Sequence, residues 1–171
     1  MSELDEIRNE LAQLRQEVQV LRDIEAIRRL KAKYYRYTDM FEWGKYYELF
    51  TDDVVVVWEP WNMRVDGRAD LVRQLDERRQ FHYTVHHGHM PEIDIIDSTH
   101  ARAIWALNLK AWYDGPGERG GSGARFVEHA AHQVEEYRKV DGVWLISRLE
   151  YSVLYAENVD HMRSVLDALH E

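Results

Sequence analysis

The sequence predicts an α+β domain, with helices first and then a meander of long, mainly antiparallel strands. Three observations point there. An apolar stripe at helical spacing runs from Leu4 to Tyr37 without Gly or Pro. The β-branched block Val54-Val55-Val56-Val57 follows a turn region. The remaining chain alternates in long runs punctuated by turn residues such as Asp141-Gly142. A curved sheet wrapped against the first helix would leave a pocket between them.

Taken in order, Leu4, Ile7, Leu11, Leu14, Val18 and Leu21 alternate three and four steps apart. Ile24, Ile27, Leu30 and Tyr34 then carry a stripe onward to Tyr37, which predicts a helix over about 3–38. Residues 1–23 read as a coiled-coil or docking extension, and 24–171 as the domain proper. Gly44 marks a turn into a short helix, Lys45 to Phe50, ended by Asp52-Asp53. Val54 to Trp58 is a strand, Arg64-Val65 a short return strand, and Gly67-Arg68-Ala69-Asp70 opens an amphipathic helix ending near Arg79. Thr84 to His89, Glu92 to Asp97, Ala101 to Tyr113, Arg125 to Lys139 and Val143 to Tyr155 are the expected long strands. The glycine-rich stretch 114–123 joins two of them as a flexible hairpin loop. Asp141-Gly142 is a two-residue hairpin turn, and a short helix from Asn158 to Leu169 closes the chain.

Composition sets limits on function. With 171 residues the chain has room for one ordinary domain. Its 22 basic against 31 acidic residues give a net charge of −9, which argues against a nucleic-acid binder that tracks phosphates. No apolar run is longer than that of Val54 to Trp58, which is far too short to cross a bilayer, so no membrane partner is expected. The acidic start, Met1-Ser2-Glu3-Leu4-Asp5, lacks the order of a secretory signal, and a cytoplasmic location is the expectation. There is no cysteine, which removes thiolate nucleophiles and Cys-based metal sites. Nine His, ten Tyr and six Trp remain as the supply for chemistry.

Groups able to move protons cluster in Lys33 to Asp39 and in Phe81 to His89. In a strand, His86 and Gly88 share one face, and His87 and His89 the other. A carboxylate on one imidazole nitrogen fixes the tautomer and leaves the opposite nitrogen as a base, so Asp39 with His86 is a candidate dyad. Bland alternatives stand beside it: Asp39 as a turn carboxylate, and His86 as a core histidine. A rival set, His87-x-His89-x-x-Glu92, has ligand types for a metal but lacks a matching second segment, so no metal site is expected.

The order of Tyr34-Tyr35-Arg36-Tyr37-Thr38-Asp39, Trp43 to Asp53, Val54 to Val57, Gly67 to Asp70, Thr84-Val85-His86-His87 and Glu136 to Ile146 resembles the SnoaL-like branch of the NTF2-like superfamily. The resemblance covers roughly residues 24–156. It implies a cone-shaped, cystatin-like α+β barrel: a curved antiparallel or mixed sheet packed against N-terminal helices, usually in a trimer. It also implies a cofactor-free lyase similar to scytalone dehydratase, bile acid 7α-dehydratase and hexachlorocyclohexane dehydrochlorinase.

In those lyases a polar residue lies five positions before an Asp, and a His about 48 residues later pairs with that Asp. Tyr34, Asp39 and His86 match, the last at a separation of 47. An Arg in the last long strand completes the set, and Arg148 is the nearest candidate, although the dehydrochlorinase pattern places it at the position of Leu149. Strand alternation puts Trp144, Ile146 and Arg148 on one face.

Four further positions are candidate substrate contacts. Tyr35, rather than Tyr34, is one helical turn from Asp39. Trp58 could stack on a ring, while Trp105 and Trp112 fill core. Asn108 and His129 complete the group, His129 sharing a face with Val127, Ala131 and Gln133. The expected activity is dehydratase-type elimination, or retro-aldol release of a small aldehyde, on a bulky aromatic or polycyclic alcohol, with no cofactor. An isomerase or polyketide-cyclase activity, or a non-catalytic binding module, are the alternatives.

Overall fold

The computed structural model describes residues 2–58, 63–77, 81–114 and 124–158. Helix α1 (Glu3–Asp39) is 37 residues long and uninterrupted. Its start is a capping box: the Ser2 hydroxyl accepts from the Asp5 amide at 3.3 Å, and the Asp5 carboxylate accepts from the Ser2 amide at 3.1 Å. Residues 3–22 are exposed throughout, and Asp23 is the first buried side chain.

Helix α2 (Trp43–Tyr47) is shorter than its expected extent to Phe50. Strand β1 (Phe50–Trp58) begins earlier than Val54 because Phe50 pairs with Ile146, and the Ile146 amide donates to the Leu49 carbonyl at 2.9 Å. Tertiary pairing thus outweighs the acidic pair Asp52-Asp53 as a breaker. The return strand β2 (Met63–Asp66) and helix α3 (Arg68–Glu77) follow.

Four long strands make the rest: β3 (Phe81–Ile95), β4 (His100–Asp114), β5 (Ala124–Val140) and β6 (Val143–Asn158). The two strands expected between Thr84 and Asp97 are one, interrupted by a bulge at Met90-Pro91, where Met90 takes φ 36° and Pro91 has no amide to give the ladder. Asp141 and Gly142, both at positive φ (50° and 81°), make the β5–β6 hairpin turn. Of the glycine-rich loop expected over 114–123, Asp114 ends β4 and the rest falls outside the described residues, as do the α3 end at Arg79 and the terminal helix beyond Asn158, while Asn158 itself closes β6.

The sheet order is β2-β1-β6-β5-β4-β3, antiparallel except for the parallel pair β1–β6. The sheet is open, curved and mixed, and α1 packs against its inner face. Inward positions follow the register in rows. His86, Leu109 and His129 form one row, and Gly88, Leu107 and Ala131 the next. Trp105, Gln133 and Tyr151 follow, and then Ala103, Glu135 and Leu149.

A bulge between Ile146 and Arg148, opposite Tyr137 and Glu136, shifts the phase of β6. Trp144, Ile146, Leu149 and Tyr151 are therefore the buried positions, and Arg148 does not share the face of Trp144 and Ile146. The extra residue, Ser147, reverses the alternation on which that expectation rested.

Where α1 meets the body, Asp23 accepts from the Trp144 indole at 2.9 Å and from Lys139 Nζ at 2.6 Å. Burial works against this carboxylate, but the bonds from Lys139 and Trp144 outweigh it and hold its pKa below the ordinary 3.8. A depressed carboxylate contributes stability above its unfolded pKa and loses it as pH falls through the folded value. Asp23→Asn is expected to lower stability at pH 7 by about 1–3 kcal/mol in urea unfolding. It is also expected to flatten the loss of stability below about pH 4. An unchanged midpoint at pH 7 would count against this anchoring role.

Candidate active site

The last turn of α1 delivers Asp39 to the edge strand β3. Its carboxylate accepts three hydrogen bonds: from the Thr84 hydroxyl at 3.0 Å, the His86 amide at 3.0 Å and His86 Nδ1 at 2.6 Å. Because a carboxylate only accepts, Nδ1 carries a proton, and in the neutral imidazole Nε2 is the nitrogen that keeps the lone pair. His86 rather than His87 faces α1; its side chain is 9% exposed, whereas His87 is exposed.

Tyr35, one turn before Asp39, lies nearly parallel to the His86 ring, with centroids 5.8 Å apart and planes 20° apart. This placement depends on Gly88. A Cβ there would come within 2.4 Å of Tyr35 Cε2 and 2.6 Å of its hydroxyl, so only glycine leaves room for the phenol. The Tyr35 hydroxyl donates to Gln133 Oε1 at 3.1 Å. Tyr34 lies deeper, against Tyr46 and Phe50, and its hydroxyl accepts from Gln133 Nε2 at 3.4 Å. Burial pushes Tyr34 up to about 12 and Tyr35 further, so both phenols remain protonated donors at neutral pH.

Beneath these rings lies a charged pair with no counterpart in the sequence expectations. Lys31 Nζ bonds Glu135 Oε1, and both side chains are essentially inaccessible. Glu135 Oε2 accepts from the Tyr137 hydroxyl, which accepts from the Trp105 indole at 2.9 Å. Lys31 Nζ also sits 4.1 Å from the Tyr34 ring centroid and 4.7 Å from that of Tyr35. Desolvation pulls the Lys31 pKa down against the opposing charge of Glu135. Lys31, Gln133, Glu135 and Gly88 are the site residues that sequence reasoning passed over. The signal was available: Lys31 continues the helical face of Ile27 and Tyr34, and Glu135 follows Gln133 in the inward alternation of β5.

His129 is buried in the same row as His86, two strands away, which sets them about 10 Å apart. Burial lowers its pKa below 6.5, favouring the neutral imidazole. Trp58 is half-buried against the core and pairs with Tyr151.

Two expected site residues lie elsewhere. Asn108 is exposed on the outer face between His87 and Ala130, because the inward positions of β4 are Ala103, Trp105, Leu107 and Ala111. Arg148 is on the outer side of β6, where its Nε donates to Glu150 Oε1 at 2.8 Å. Leu149 holds the inward position that the dehydrochlorinase pattern gives to Arg. Trp112, expected in the core, packs on Phe126 on the outer face, with ring centroids 4.7 Å apart. His87, His89 and Glu92 also lie on the outer face, and among the described residues no group of three His, Asp or Glu side chains is placed to hold a metal ion. No helix among the described residues is long and apolar enough to cross a membrane.

Comparison with solved structures places the same architecture in several proteins. A scytalone dehydratase-like protein from Novosphingobium aromaticivorans superposes with a TM-score of 0.72 at 22% identity, over 83% of this chain and 91% of that one. The hexachlorocyclohexane dehydrochlorinase LinA-type3 from Novosphingobium barchaimii gives 0.71 at 18%, over 84% and 94%. A dehydratase-like member of the NTF2-like family from Streptomyces avermitilis gives 0.64 at 14%, over 78% and 97%. These likenesses establish the fold. The SnoaL-like domain model matches residues 19–150, well over half of the sequence, and the chain therefore belongs to the SnoaL-like family, in the NTF2-like fold.

Proposed function

We propose that the protein is a cofactor-independent lyase that begins elimination by removing a proton with His86. The observation that carries this reading is the 2.6 Å bond between Asp39 and His86 Nδ1, which aims Nε2 away from the carboxylate. Proton abstraction turns the imidazole into an imidazolium. That charge is offset twice, by the Asp39 carboxylate and by the negative end of the α1 macrodipole, because Asp39 is the last residue of the helix.

Tyr35, stacked on His86 and kept protonated, is the group that would exchange its Gln133 acceptor for a developing or departing oxygen and donate its one hydrogen bond there, and Tyr34 holds Gln133 in place from the other side. Arg148 drops out of the mechanism because its guanidinium is committed to Glu150 on the outer face.

The floor between His86 and His129 consists of Leu109, with Gly88, Leu107 and Ala131 in the adjoining row. Small and aliphatic groups between two imidazoles suit a flat, ring-containing alcohol, with His129 and Trp58 as ring contacts. Loss of water is the reaction proposed first; release of a small aldehyde by retro-aldol cleavage uses the same base. The proposed assembly is a homotrimer formed through the outer sheet face, where Ile104 and Val134 pair in register and remain 40% and 39% exposed.

Two measurements test the reading. On a panel of phenolic and polycyclic alcohols, product mass is expected to fall by the leaving group; an unchanged mass would indicate an isomerase. His86→Ala and Asp39→Asn should each lower turnover by about 10²- to 10⁴-fold, the usual share of general acid–base catalysis. Near-wild-type turnover in either variant overturns the dyad. Separately, Gly88→Ala is expected to displace Tyr35 and reduce kcat more than it raises KM, with the circular dichroism spectrum retained. An unaffected kcat would remove Tyr35 from the chemistry.

A further inference from the structure

The part of α1 that stands clear of the body carries a pattern the active site does not use. Over 3–22 every side chain is exposed, and the apolar stripe lies open: Leu4 and Leu21 are 65% exposed, Leu11 and Leu14 48%, Ile7 47% and Val18 44%. The segment is a threefold heptad repeat, ELDEIRN, ELAQLRQ and EVQVLRD. With Leu4, Leu11 and Val18 at a, and Ile7, Leu14 and Leu21 at d, every g position is Glu (Glu3, Glu10, Glu17). Every e position is Arg (Arg8, Arg15, Arg22).

That arrangement distinguishes orientations. In a parallel coiled coil, g of one helix meets e of the next heptad of its neighbour, so Glu3 meets Arg8, Glu10 meets Arg15 and Glu17 meets Arg22, all attractive. In an antiparallel pair g faces g and e faces e, which sets Glu against Glu and Arg against Arg. A shift by one heptad keeps the charges matched but leaves one apolar heptad uncovered.

The docking of α1 on its own sheet supplies a second observation. Of the six buried residues of its second half, Asp23, Ile27, Leu30 and Tyr34 occupy positions f, c, f and c of the same repeat, while Lys31 and Tyr35 fall at g and d because a straight helix drifts about 20° per heptad. At about 100° per residue, the six centre on the side of the helix opposite the exposed seam of Leu4 to Leu21. The seam therefore faces away from the domain that carries it, and neighbouring arms can reach it without meeting that sheet.

We infer that the arm binds the arms of other copies of this chain as a parallel, in-register coiled coil. The resulting assembly has rotational symmetry about the arm axis, with all domains at one end. This inference is independent of the reaction catalysed.

The chain has no cysteine, so single cysteines report the geometry in the full-length protein. Ile7→Cys and Leu14→Cys are each expected to form a disulfide between copies on mild oxidation. Reversing the e positions (Arg8→Glu, Arg15→Glu, Arg22→Glu) in the Ile7→Cys chain should abolish that crosslink. Mixing it with an Ile7→Cys chain in which Glu3, Glu10 and Glu17 are replaced by Arg should restore it as a mixed species. These positions are exposed, so the domain fold is expected to survive, as circular dichroism would show. The inference is overturned if Ile7→Cys stays uncrosslinked or crosslinks only with Val18→Cys in a mixture, the antiparallel match. A charge-reversed arm that crosslinks like the parent overturns it as well.

Discussion

The arrangement of the site depends on a carboxylate placed where a helix does not favour one. Asp39 ends α1, where the macrodipole is negative and a cation is preferred. Three donors offset that placement: the Thr84 hydroxyl, the His86 amide and the His86 ring. All three come from β3: two are side chains of the same face, and the third is the His86 backbone amide. The inner edge of β3 must therefore approach the end of α1 closely, and Gly88 allows that approach two residues further along by leaving space for Tyr35. The electrostatic demand at one helix end thus explains the packing of the strand beside it.

Deeper in the cone the same logic recurs with a larger penalty. Burying Lys31 and Glu135 costs several kcal/mol per ion before their attraction is counted, and an apolar pair of similar size is often no less stable. Their hydrogen bonds and ring contacts nevertheless tie together elements that apolar packing alone would position loosely. Lys31 lies below Tyr34 and Tyr35, and Glu135 reaches Tyr137 and through it Trp105. Gln133, between this pair and the phenols, has its amide oxygen and nitrogen each committed to a tyrosine. The arrangement fixes where both phenol hydroxyls lie, which is what the proposed donor role of Tyr35 needs.

Much of this was legible in the residues. Helical spacing across Leu4 to Tyr37 and alternation along the long strands are local signals, and they led to the right class and sheet. The Asp39–His86 pairing came from spacing matched to a family, because nothing local says which histidine of His86-His87 faces inward. What failed depended on absolute phase. Asn108 lies in a strand with Ile104 and Trp105 on opposite faces, so side-chain type could not tell inside from outside. Arg148 was lost to a single inserted residue, Ser147, because one bulge reverses every later side chain. Lys31 and Glu135 escaped notice for a different reason. Charged residues are so seldom fully buried that their correct inward phase carried less weight than their type.

The uninterrupted α1 links these scales. Over 37 residues it carries the exposed heptads, the Asp23 anchor to Trp144 and Lys139, the buried Lys31, both phenols and finally Asp39. A continuous helix bends only gently without a proline, a glycine pair or a π-bulge, and α1 contains no Gly or Pro. Any constraint on the direction of its first twenty residues is therefore passed toward the turn that holds the dyad. Asp23 limits this transfer, since its two bonds fix the helix to β5 and β6 before the turns that carry Tyr34, Tyr35 and Asp39 begin. The anchor gives the arm freedom to meet other copies while the spacing of Asp39 and His86 is set by the sheet.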